Sequence, residues 1–160
     1  MRLQHDTRGL RRVSAAADFG RVAVLHGGSS AEREISLLTG AAVLAALQRR
    51  GVDAHGFDPA QHPLGELSTG RYTRAWIALH GPGGEDGTLQ GALEFLGIPY
   101  TGSGVTGSAI GMDKLRTKRL AAALDIPTPE FVVLRSAADL ELALARLGLP
   151  MIVKPASQGS

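Results

Sequence analysis

The chain has 160 residues, 44% of them hydrophobic, enough for one substantial core or for a small domain and the beginning of a second. Its formal charge of +2 and isoelectric point near 9.4 come from a modest basic excess that includes Arg8, Arg11 and Arg12 and not from a basic face along the body, so nucleic acid is not an expected partner. With no cysteine the chain has no disulfide, thiolate metal site or cysteine nucleophile, which fits a cytoplasmic setting, and no apolar run reaches the roughly 20 residues of a membrane span.

Residues 1–20, MRLQHDTRGLRRVSAAADFG, carry arginines and few acids but lack the continuous apolar core of a secretory signal. A transit peptide is weighed against a flexible leader ahead of the first strand, and the leader is preferred. Residues 22–25 are a short apolar run. In residues 31–50, Ile35, Leu38, Ala42, Leu44, Ala45 and Leu47 recur near helical spacing until Gly51 offers a stop. Residues 52–57 alternate apolar with polar up to Pro59, residues 75–79 read as a buried strand, and residues 88–96 as a helix closed by Gly97. Residues 98–101 add a short strand. Strand and helix alternate, so the expected class is α/β, a parallel sheet covered by helices and joined by right-handed crossovers. Ligands of such sheets sit at the carboxyl ends of the strands.

After Asp113, a helix over residues 114–124 leads into DIPTPEFVVL, where Pro127 and Pro129 break helical structure and residues 131–134 resume as strand. Ser136 begins another helix, with Asp139 at capping-box spacing and Leu140, Leu144 and Leu147 on one side. Gly148 and Pro150 end it, and residues 151–153 form a strand before KPASQGS. That last strand has no partner to pack on, so a second domain is expected to be cut short there.

Four stretches carry candidate chemistry. In VLHGGSSAERE, Gly27 and Gly28 let the backbone turn sharply off the first strand, and the N–H groups of the following helix start can receive an anion. Ser29 and Glu32 stand at capping-box spacing, so Glu32 reads either as the cap of its own helix, which spacing alone favours, or as a carboxylate at the strand ends that binds a substrate ammonium. Glu34 reads as a solvated neighbour. In ALHGPGGEDGTLQG the arrangement repeats: His80 leaves the next inner strand into a glycine-rich loop, and Glu85 or Asp86 can cap the helix from Thr88. His80 is balanced between lining a site and a structural role, and His26 and His80 lack metal-ligand spacing.

GSGVTG, residues 102–107, fits GxGxxG literally but comes too late for the dinucleotide fingerprint, which belongs on the first strand-to-helix turn; the glycines read as backbone clearance. Only three of the 17 Lys and Arg residues are lysines. Lys114, at a helix start, and Lys154, ending an apolar strand, read either as surface charges or as phosphate ligands, with SQGS as a flexible cover.

Taken together, LHGGSSAEREISLLTG, IALHGPGGEDGTLQGALEFLGIPYTGSG, MDKLRTK and LPMIVKPASQGS closely resemble the D-alanine:D-alanine ligase family of the ATP-grasp superfamily, over residues 22–160. After the leader over residues 1–20, the resemblance implies a Rossmann-like pre-ATP-grasp domain over 21–117 and the beginning of an ATP-grasp domain, truncated, over 118–160. It implies an enzyme that phosphorylates one D-alanine with ATP and joins the acyl phosphate to the amine of a second, with Mg²⁺ neutralising the phosphates, for peptidoglycan synthesis. Position by position, it makes Glu32 the acid that holds the first D-alanine's ammonium, places Ile35, Ser36 and His80 beside that substrate, puts Lys114 and Lys154 on the nucleotide's phosphates, and makes Ser160 the serine of a flexible loop that joins Glu32. The magnesium-binding acids would lie beyond residue 160, so these residues alone are expected to be inactive. A homodimer through the first domain is implied as well. A non-catalytic binding domain, another ATP-grasp carboxylate–amine ligase and, last, a dinucleotide dehydrogenase are the competing readings.

Overall fold

The computed structural model describes residue 13 and residues 15–157. Most of the leader, and Ser160 with the end of the SQGS stretch, lie outside the described residues. A short 3-10 turn, Ala16–Phe19, precedes strand β1, Val22–Leu25. Helix α1, Arg33–Arg49, strand β2, Ala54–Phe57, a one-turn helix α2, Glu66–Thr69, and strand β3, Arg74–Ile77, follow. Four helices complete the order: α3, Thr88–Phe95, α4, Val105–Met112, α5, Lys114–Ala123, and α6, Asp139–Leu147.

All pairing is parallel. The described strands run in the order β2-β1-β3, with β1 in the middle. Every residue of β1 is buried, and its side chains alternate between two cores. Ala23 and Leu25 meet Phe57, Leu67, Leu89 and Leu93 on one face, while Val22 and Val24 meet Val52, Ala54 and the inner side of α1, Val43, Leu44 and Leu47, on the other. A central parallel strand covered on both faces must be apolar throughout, and the run VAVL satisfies that requirement.

The register brings Leu25 level with Phe57 and with Ile77, so the chain leaves all three strands at one edge. From β1 the chain moves to one neighbour, β2, and then crosses to the other, β3. The strand order therefore reverses between β1 and β3, and there the loops part to leave a crevice.

Several expected elements are shorter or absent. Residues 98–101 contribute a single parallel bridge, Tyr100 to Ala75, instead of a strand. Residues 131–134 and 151–153 are apolar but form no strand, because no neighbouring strand among the described residues offers them donors and acceptors. The helix expected from Ser136 begins at Asp139, whose Oδ2 accepts from the N–H groups of Arg135 and Ser136, each at 2.8 Å. The capping interaction is thus present in its reciprocal half, with the turn before the helix held by the acid.

Leu25 is fully buried at the level from which the loops depart. Truncation by Leu25→Ala removes apolar contacts on the α2–α3 side and leaves a cavity that rigid strands cannot close. We expect a loss of about 3 kcal/mol, read as a lower urea midpoint with an unchanged denaturant slope.

Candidate functional site

The crevice lies between the segment after β1 (His26, Gly27, Gly28, Ser29, Ser30) and the segment after β3 (Ala78, Leu79, His80, Gly81). It encloses a cavity of about 180 Å³ lined by Gly28, Ser29, Ala60, Leu79, His80 and Gly83, among others. The walls mix apolar side chains with exposed backbone, as small-molecule sites do.

Three polar ties hold the first loop. Ser36, fully buried on the first turns of α1, accepts a hydrogen bond from the Gly27 N–H at 2.9 Å and donates to the Ala78 carbonyl at 2.8 Å. Its hydroxyl is thereby spent on joining the ends of β1 and β3. Ser30 donates to the His80 carbonyl at 2.7 Å and accepts from the Glu32 N–H at 3.2 Å.

The third tie is an ion pair. Arg33 Nη2 donates to Asp58 Oδ2 at 2.7 Å while Nη1 donates to the Gly28 carbonyl at 2.6 Å. The other carboxylate oxygen of Asp58 accepts from the Gly28 N–H at 3.0 Å and the Ala60 N–H at 2.9 Å. Both backbone groups of Gly28 are therefore held by one side-chain pair. Gly27 lets the pair approach: its φ is +78°, and a Cβ there would stand 2.6 Å from Asp58 Oδ2. Burial opposes ionisation of Asp58, but the bonds from Arg33, Gly28 and Ala60, with the charge of Arg33, hold its carboxyl down at about 2 against an ordinary 3.8.

Glu32 is the residue immediately before α1, and its side chain caps nothing. It is half-buried, and its carboxylate lies against the second loop, where a Cβ on Gly81 would come within 3.0 Å of Oε1. The cap that spacing alone favours is not formed. Among the described residues no hydrogen bond or ion pair engages this carboxylate. Glu34 is exposed.

His80 Nε2 is 3.2 Å from Thr39 Oγ1, and Nδ1 is 3.8 Å from Glu85 Oε1. The Thr39 hydroxyl donates to the Ile35 carbonyl, so its contact with His80 requires the histidine to carry a hydrogen on Nε2. Glu85 Oε2 accepts from the Gly81 N–H at 2.9 Å, and Asp86 accepts from the Gly83 and Thr88 N–H groups. Of the two acids weighed as caps, Asp86 thus serves the helix start and Glu85 the His80 turn.

His80 lines the cavity, and Glu32, which does not, lies against the neighbouring Gly81. Ser36 lies behind the crevice, buried, and Ile35 stands exposed at 56%. The backbone N–H of Lys114 donates to the Ala156 carbonyl at 2.8 Å, which lays the segment that follows Lys154 against the first turn of α5. Lys154 itself is exposed. GSGVTG lies outside β3 at the sheet's edge, following Tyr100, and not at the switch point.

The family model for the D-alanine–D-alanine ligase N-terminus matches residues 62–103, which take in β3 and the whole His80 loop. A D-alanine–D-alanine ligase of Aromatoleum aromaticum is 60% identical over 94% of this chain, and that of Polaromonas naphthalenivorans 58% over 90%. The chain matches the N-terminal portion of the D-alanine–D-alanine ligases. It spans about half the length of these curated relatives, 49% and 46%. The solved ligase of Bacillus anthracis superposes with a TM-score of 0.70 at 36% identity, covering 87% of this chain and 47% of that one. The same enzyme complexed with ATP gives a TM-score of 0.67 at 34% identity, over 86% and 48%. The ligase likeness therefore extends across both loops of the crevice.

Sequence reasoning missed the Arg33–Asp58 pair. The available signal was an aspartate following a strand directly, in the triplet FDP, at the level where the other two strands release their loops. The pair's side chains are only 31% and 9% exposed, so solvent screens it poorly. Because the folded carboxyl titrates below its unfolded value, its contribution is fully present above pH 4 and is lost as pH falls towards 2. We expect about 2 kcal/mol of acid-sensitive stability over that range, absent from Asp58→Asn, when urea unfolding of the two proteins is compared at successive pH values.

Proposed function

We propose that these residues form the amino-acid-binding part of an ATP-dependent ligase that joins two D-alanines into D-alanyl-D-alanine for peptidoglycan. The observation that carries this reading is the Glu32 carboxylate, which has no hydrogen-bond or ion-pair partner among the described residues and lies against Gly81, next to His80. An amino acid's ammonium is the natural counter-charge for such a carboxylate.

In this reading Glu32 holds the ammonium of the first D-alanine and His80, held by Thr39, stands beside it. Ile35 presents an apolar surface at the same helix start. Ser36 supports the substrate from behind by tying β1's loop to β3's. Lys114 and Lys154 would hold the phosphates of ATP, and Ser160 would close over them towards Glu32. Phosphoryl transfer to the substrate carboxylate releases ADP, and attack by the second D-alanine's amine releases phosphate. Among the described residues no three His, Asp or Glu side chains converge as metal ligands, so Mg²⁺ would take its protein ligands from other residues of the ligase. The reading divides the chain into a leader, a first domain over residues 21–117 and the start of the ATP-grasp domain over 118–160. It also carries a cytoplasmic location and a homodimer. No helix among the described residues is long and apolar enough to cross a membrane.

The test is D-alanine-dependent release of phosphate from ATP. We expect it from the whole ligase containing this portion and not from residues 1–160 alone. Glu32→Gln keeps the shape and removes the charge, and should lower kcat/KM for D-alanine by roughly thirtyfold, corresponding to about 2 kcal/mol for a charge-assisted hydrogen bond. Equal turnover of a different amino acid pair would instead favour another carboxylate–amine ligase.

A further inference from the structure

Glu32 is flanked by anchors on both sides. Before it, Ser30 ties to the β3 loop; directly after it, Arg33 reaches the opposite way, to Gly28 and to Asp58 at the end of β2. Arg33 follows Glu32 directly, so fixing Arg33 on the β2 side restrains the direction in which Glu32 projects on the β3 side. The same pair immobilises Gly28, which lines the cavity. Gly27 and Gly28 both have positive φ, +78° and +71°, and two adjacent glycines would otherwise sample many conformations.

We infer that the Arg33–Asp58 pair is a positioning device for amino-acid binding: it pre-organises the Gly27–Gly28 rim and the direction of Glu32, without touching the substrate. The inference rests on the reading of Glu32 as the ammonium site. Without the pair, each binding event would have to order the rim itself, and ordering one residue weakens an association by roughly tenfold. The fork matters as well as the charge. A lysine at position 33 retains the charge but cannot hold the Gly28 carbonyl and Asp58 together in the same planar arrangement.

The experiment is a titration of the ¹⁵N-labelled protein with D-alanine, following the backbone amides of Gly27, Gly28 and Gly81. Asp58→Asn and Arg33→Lys should each weaken D-alanine binding by roughly tenfold. The control is Leu67→Ala, a fully buried core residue of α2 that lowers stability and does not line the cavity; it should leave the affinity within about twofold of the parent. Unchanged affinity in Arg33→Lys and Asp58→Asn, or an equal loss in Leu67→Ala, would reduce the pair to an ordinary stabilising contact and overturn the inference. Should Asp58→Asn fail to fold, Arg33→Lys decides alone. Absence of any D-alanine-dependent shift in the parent protein would overturn the ammonium reading of Glu32 and this inference with it, an outcome distinct from intact binding that the substitutions leave unmoved.

Discussion

The crevice exists because buried polar groups hold two glycine-rich loops against the ends of three parallel strands. A glycine pair gives the backbone freedom to turn within two residues, and the same freedom leaves it undefined unless something fixes it. Ser36 supplies one fixed point, Arg33 and Asp58 another. Each is satisfied on both sides, which is the condition under which a buried polar group specifies a structure instead of weakening it. Because β1, β2 and β3 end in register, ties that start from α1 can reach all three strand ends within its first two turns. The apolar cores below set the strands; the ties above set the loops.

Much of the framework was legible from pattern alone. The run VAVL and the apolar spacing of α1 gave a central strand and the helix on its face, and the alternation of strand and helix gave a parallel sheet with its ligand edge. Legibility failed where an element depends on a partner that local sequence does not name. FVVL and MIV have the composition of strands, yet a strand is a pairing, and no neighbour among the described residues completes it. Tyr100 shows the intermediate case, in which one residue bridges to β3 and its neighbours do not follow. Ser136 and Asp139 were read as a capping box, and the bonds formed, but the helix starts at the acid because that side chain holds the preceding turn.

The site divides in the same way. Glycine clusters after apolar runs mark both loops, and His80 and Glu32 are visible as polar groups at strand ends. Spacing alone assigned Glu32 to its own helix, since Ser29 and Glu32 have the right separation for a mutual cap. In the fold Ser30, and not Ser29, meets the helix start, and it spends its proton on the His80 carbonyl. With that one-residue difference the Glu32 carboxylate caps nothing and faces the second loop, unpaired among the described residues. The triplet FDP marked Asp58, but its pairing with Arg33 could not be read because the relation is long-range: 25 residues separate them, and only the register of β1 with β2 brings them together.

The free carboxylate and the paired one therefore have complementary physical roles. Asp58 is ionised at an acid pH because its charge is fully answered by Arg33 and two N–H groups, and a group so completely satisfied has little left to offer a ligand. Glu32 is the reverse: half-buried, adjacent in sequence to the partner of Asp58, and without a cation of its own among the described residues. Keeping the arginine occupied elsewhere preserves that imbalance. Were Arg33 to swing towards its neighbour, it would neutralise Glu32 and compete with any incoming ammonium. The ion pair thus excludes an internal competitor from the crevice while it shapes the rim, so one contact accounts both for the rigidity of the loop and for the availability of the charge beside it.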